Sequence, residues 1–108
     1  MTTEVPAVTP TEVPEGATLL DVREDDEWAA GHAPQAVHVP MSQFLSRLDE
    51  VPDGPLAVVC RVGGRSAQVT AYLVGQGREA VNISGGMLAW EAAGRPVVND
   101  GPGPAQVV

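Results

Sequence analysis

Four short apolar runs, Thr18 to Val22, Ala36 to Val39, Leu56 to Val59 and Ala80 to Ile83, punctuate the chain, and a helix-compatible stretch follows each one. Alternation of strand and helix leaves few folds open. Consecutive parallel strands need a crossover, the crossover is right-handed, and its helix covers one face of the sheet. The chain is therefore predicted to be an α/β domain, a central parallel sheet of about five strands with helices on both faces. Sheets of this kind bind ligands at the C-terminal ends of their strands. The residues just past each run are thus the candidates for function.

Glu24 to Ala30, acidic in its first turn, reads as a short helix ended by Gly31. Met41, Phe44, Leu45 and Leu48 fall at helical spacing behind Pro40, which predicts a helix over Met41 to Leu48 with Ser42 as its cap. Pro52-Asp53-Gly54-Pro55 is a turn. Ala67 to Val74 has neither glycine nor proline and reads as a buried helix closed by Gly75 and Gly77, while Gly85-Gly86 opens another from Met87 to Ala93, ended by Gly94 and Pro96. Residues 1–16, interrupted by Pro6, Pro10 and Pro14, suit an extended arm or edge strand. Residues 17–99 make the domain, and Gly101-Pro102-Gly103-Pro104 marks 100–108 as a loose C-terminal tail.

The strand Leu56 to Val59 delivers the only cysteine, Cys60, into the loop Arg61-Val62-Gly63-Gly64-Arg65-Ser66. The helix behind this loop points its N-terminus back at the sulfur. Unpaired N–H groups at a helix start attract anions, and two guanidinium groups add to that field, so thiolate is favoured over thiol. Glycine at 63 and 64 lets the backbone aim N–H groups inward, where a Cβ would obstruct a positive φ. Cys60 is the candidate nucleophile, and the backbone of Arg61, Val62, Gly63, Gly64 and Arg65 is the candidate anion cradle. Arg65, which ends the loop, is the stronger candidate of the two arginines to reach across it.

Charge narrows the partners. The 108 residues carry a net charge of −8 and no lysine, so all six basic residues are arginines, two of them in the loop. Such a body disfavours nucleic acid and anionic membrane, yet a local positive site can hold a small anion. No apolar run approaches the length of a membrane span, and Met1 to Pro6 lacks a basic start and an apolar signal core. The reading is a cytoplasmic, monomeric domain. One cysteine cannot form an internal disulfide, no His or Cys pair has metal-ligand spacing, and Gly85-Gly86 lacks the rest of a nucleotide loop, so neither metal nor cofactor is expected.

Four motifs occur in order between Thr18 and Val98: Leu20-Asp21-Val22-Arg23 with Glu27-Trp28; Gly31-His32-Ala33-Pro34-Gln35-Ala36-Val37-His38-Val39-Pro40; the cysteine loop; and Gly85-Gly86-Met87-Leu88-Ala89-Trp90 with Gly94 and Pro96. Together they resemble the rhodanese-homology domain, with Gln35 standing where the family usually has glycine. The resemblance implies a sulfurtransferase that carries sulfane sulfur from a donor such as thiosulfate, as a Cys60 persulfide, to cyanide, a thiol or an acceptor protein. Related arsenate reductases and phosphatases have one more residue between cysteine and arginine, so they rank second, beside a non-enzymatic sulfur-relay or protein-binding module. In this family, arginines in the loop go with thiosulfate more than with mercaptopyruvate.

Other side chains have plainer readings. Asp21 and Arg23 suit a buried ion pair tying the strand end to a neighbouring loop, and His32 and His38 suit structural hydrogen bonds. Trp28 and Trp90 read as core aromatics.

Overall fold

The computed structural model describes residues 5–108. Strands β1 (Ala7–Val8), β2 (Thr18–Asp21), β3 (Val37–His38), β4 (Leu56–Val59) and β5 (Ala80–Ile83) form one parallel sheet in the order β1-β5-β4-β2-β3. Helices α1 (Asp25–Ala30), α2 (Gly64–Gly75) and α3 (Gly86–Ala92) follow β2, β4 and β5. This is the predicted α/β architecture. Because the strands run the same way, Val22-Arg23, Pro40-Met41, Cys60 and Ser84 all collect at one edge of the sheet.

The period of two along a strand divides the core into two layers. Leu20, Val22, Leu56, Val58 and Cys60 pack with Val39, Phe44, Val69 and Leu73 on one face. Leu19, Ala57, Val59 and Ile83 pack with Met87 and Trp90 on the other. Every residue of β4 is buried, as a strand covered on both sides requires. Cys60 shares its parity with Leu56 and Val58, so its side chain falls on the α2 face.

Three expectations need correction or limits. The arm's first four residues lie outside the described residues, but Ala7-Val8 adds to the sheet as a two-residue edge beside β5. The helix expected over Met41 to Leu48 is instead two 3-10 stretches, Met41–Gln43 and Leu45–Glu50, broken further at Arg47 (φ −121°, ψ 27°). Only Met41 and Phe44 turn inward, Leu45 being 70% and Leu48 39% exposed, and residues three apart already share a face in a three-residue turn. Ser42 does not cap this segment. Its hydroxyl donates to Glu24 Oε1 at 2.6 Å and its N–H to Glu24 Oε2 at 3.2 Å.

The C-terminal tail is docked rather than loose. Gln106 N–H donates to the Ala30 carbonyl at 3.0 Å, and Val107 packs on the α3-side core with Val97. Gly31 is glycine for this reason. Its φ of 173° is ordinary extended backbone, but a Cβ there would run into the Gln106 backbone and Val97. Among the described residues, no helix is long and apolar enough to cross a membrane.

Candidate active site

The site begins with a buried corner that places α1. Arg23, wholly buried, donates from Nε and Nη2 to the Asp21 carboxylate at 2.7–3.1 Å, and from Nη1 and Nη2 to the Glu27 and Gly31 carbonyls at 3.3 and 2.8 Å. The expected Asp21–Arg23 pair is therefore present, and it also satisfies carbonyls at the end of α1, where a cation complements the helix dipole. His38 Nε2 meets the Arg23 carbonyl at 2.7 Å and His32 Nδ1 the Trp28 carbonyl at 2.8 Å. Trp28, predicted as core, is half-buried and stacks between the two imidazoles at 3.7 and 4.6 Å. Trp90 is fully buried, with its Nε1–H donating to the Pro96 carbonyl at 2.9 Å.

Cys60 directly follows β4 and is 1% exposed. The chain turns beneath it through Gly63, the N-cap of α2, at φ 113° and ψ −12°, where only glycine is at ease. That turn aims the Gly63 N–H at Cys60 Sγ, 3.1 Å away. Gly64 contributes nothing comparable: its φ is not positive, and a Cβ there would meet nothing within 4 Å. The bend expected of both glycines rests on Gly63 alone.

Ser66, buried in the first turn of α2, brings its hydroxyl to 3.2 Å from Cys60 Sγ. The same oxygen lies 2.5 Å from Asn82 Oδ1 and 3.3 Å from the Gly63 carbonyl. One hydroxyl hydrogen thus faces three acceptors, of which a thiolate, being charged, is the strongest. Asn82 donates from Nδ2 to the Gly63 carbonyl at 3.1 Å, which fixes its amide so that Oδ1 faces Ser66. Burial pushes the Cys60 thiol up, but the Ser66 hydroxyl and the N–H groups of Ser66, Gly63 and Val62 together outweigh it, and the thiol sits below its ordinary range. The sulfur is a buried anion site built mainly from peptide dipoles.

The second glycine motif holds the loop from behind. Met87 and Leu88 at the start of α3 donate their N–H groups to the carbonyls of Cys60 and Arg61 at 2.8 and 3.1 Å. Gly86, at φ 59°, lies so close that a Cβ would overlap those same carbonyls. The loop carbonyls are thereby bound on the α3 side, while its N–H groups turn to the sulfur.

The two loop arginines are not equivalent. Arg65 is engaged side by side with Glu27 of α1, Nη1 to Oε1 at 2.7 Å and Nη2 to Oε2 at 2.8 Å. The Arg65 hydrogen bond outweighs burial and, with the Glu24 N–H on Oε1, holds the Glu27 carboxyl down at about 2. Arg65 is shifted upward, first by Glu27 and to a lesser degree by the Cys60 charge. Arg61 is exposed and, among the described residues, its side chain has no hydrogen bond or ion pair. Sequence reasoning ranked Arg65 ahead of Arg61 as the arginine to reach across the loop, without the Glu27 contact that holds Arg65. It also missed Glu27 as Arg65's partner, Ser66 as the sulfur's neighbour and Asn82 behind both. Asn82 carried a visible signal, as the single polar residue of the run Ala80 to Ile83.

Among the described residues, no group of His, Cys, Asp and Glu side chains is arranged to hold a metal ion. The rhodanese-like domain model matches residues 10–93. A sulfurtransferase from Allochromatium vinosum is 41% identical over 86 residues, 78% of this chain and 80% of that protein. The thiosulfate sulfurtransferase GlpE of Pseudomonas savastanoi is 38% identical over 82 residues, 72% of this chain and 76% of the relative. The crystal structure of a rhodanese-related protein from Thermoplasma volcanium superposes with a TM-score of 0.80 at 30% identity, covering 86% of this chain and 97% of that one. With the four motifs converging on one cysteine at the C-terminal edge of a parallel sheet, this chain belongs to the rhodanese-like domain family.

Proposed function

We propose that the chain is a sulfurtransferase of the thiosulfate type, in which Cys60 takes sulfane sulfur from a small anionic donor and passes it to a thiophilic acceptor. The observation that carries this reading is the convergence of the Gly63 N–H and the Ser66 hydroxyl on Cys60 Sγ, which favours the thiolate of a buried cysteine. Names of relatives at 38% and 41% identity support the same chemistry.

The Cys60 thiolate attacks the outer sulfur of thiosulfate, the donor's S–S bond breaks, and sulfite leaves with the bonding electrons. Cys60 is left as an anionic persulfide. Backbone N–H groups of Arg61 to Arg65, of which Gly63 and Val62 already favour the thiolate together with Ser66, would hold that anion, and Arg61 would steer the incoming donor. Cyanide, a small thiolate or the thiolate of an acceptor protein then attacks the outer sulfur and regenerates the Cys60 thiolate. Neither cofactor nor metal enters this cycle. A lone thiol of this kind works in a reducing, cytoplasmic setting, and a monomer holds every group named.

Intact-protein mass tests the cycle. After thiosulfate and removal of excess, the protein gains one sulfur atom, cyanide removes it, and Cys60→Ser gains none. Sulfur loading that persists in Cys60→Ser would end this reading.

A further inference from the structure

The Glu27–Arg65 pair bears on which donor the site prefers. A bidentate contact commits one N–H from each Nη of Arg65 to a carboxylate, so the guanidinium is no longer free to fork around an oxyanion. Glu27 cannot easily withdraw. Oε1 also accepts the Glu24 N–H at 3.0 Å, and the backbone of Glu27 is anchored through its carbonyl by Arg23. The opposite charges nearly cancel beside the cradle, leaving Arg61 as the one arginine, among the described residues, without a partner.

We propose that Glu27 is a specificity-determining residue that removes Arg65 from donor binding and thereby tilts the site toward singly charged organic persulfides over the thiosulfate dianion. This rests on the sulfurtransferase reading above. With such a donor, the Cys60 thiolate attacks the outer sulfur of R–S–S⁻, the donor's S–S bond breaks, and the thiolate R–S⁻ leaves with the electron pair. No oxidant or reductant is consumed.

Charge arithmetic sets the expected size. Interaction energy scales with donor charge, so a change that improves binding of a monoanion by some factor improves a dianion by about its square. Glu27→Gln keeps the acceptor for the Glu24 N–H but turns an amide N–H₂ toward Arg65, which releases the guanidinium. Steady-state kinetics with thiosulfate and with cysteine persulfide, cyanide as acceptor, should show the KM for thiosulfate falling about tenfold and that for cysteine persulfide about threefold. In Glu27→Gln/Arg65→Gln the gain for thiosulfate should disappear.

Equal changes for both donors, or a rise in both KM values, would overturn the inference. Arg61→Gln guards against a folding defect in Glu27→Gln, because Arg61 is exposed and unpaired. It should raise the KM for thiosulfate about tenfold and for cysteine persulfide about threefold, and an unchanged donor ratio would also overturn the inference. Loading of Cys60 by one donor or both, read by mass, separates the two claims. No loading from either donor refutes the sulfurtransferase reading and the inference with it, whereas loading with no shift in preference refutes the inference alone.

Discussion

The Asp21–Arg23 corner and the Cys60–Ser66 loop lie at the same edge of the sheet and are both polar and buried, yet they are built in opposite ways. In the corner, a charge meets an opposite charge, further guanidinium donors go to two carbonyls, and both side chains are wholly buried, so no surface is open to a ligand. In the loop, one sulfur collects donors from a turn and a helix start, with no cation among its direct contacts. A closed network of charges fixes geometry; a single acceptor surrounded by peptide dipoles stays ready for another anion in its place. The corner is scaffold and the loop is the candidate site.

The largest test of that contrast is Arg23→Met. It leaves the Asp21 carboxylate buried without its countercharge, so denaturant unfolding should show a loss of about 3–5 kcal/mol. A loss under about 1 kcal/mol would mean that water or another group already serves Asp21 and that the corner is not closed.

Next comes the turn. Gly63→Ala must adopt φ near 113° and should lose about 1–3 kcal/mol, with weaker sulfur loading because its N–H no longer points at Sγ. Gly64→Ala, in open space at the helix start, should be neutral or stabilising by up to about 1 kcal/mol. If both glycines behaved alike, the loop would owe its shape to something other than the left-handed residue at 63.

The smallest effect is on the sulfur itself. Ser66→Ala removes a hydrogen bond that favours the thiolate, so the thiol titrates at higher pH. The midpoint of iodoacetamide alkylation against pH should rise, with the fold unchanged. An unmoved midpoint would assign the lowering to the backbone N–H groups alone and the Ser66 hydroxyl to Asn82.

Much of this was readable in the chain. The runs at Leu56 to Val59 and Ala80 to Ile83 coincide with β4 and β5, because a buried parallel strand must be continuously apolar and turn residues mark its ends. The place of Cys60 followed from the same pattern. Elsewhere, local pattern misled. Met41 to Leu48 has helical spacing, but two of its four apolar residues find no core to enter. Glycine and proline in the tail suggested a loose end, while the contact that docks it lies some seventy-five residues away at Ala30 and Gly31. Glu27 and Arg65 could not be paired from spacing, since 38 residues and two strands separate them.

The sequence by itself determined the class of fold, the candidate nucleophile and the turn beneath it, because each depends on neighbours along the chain: alternation of elements, a thiol at a strand end, a glycine where φ must be positive. Only the tertiary structure decided which arginine remains free and which is held by a carboxylate. It alone set Ser66 and Asn82 behind the sulfur and closed the tail over Gly31. Those outcomes depend on distances between elements far apart in sequence, which parallel crossovers bring together only when the sheet is formed.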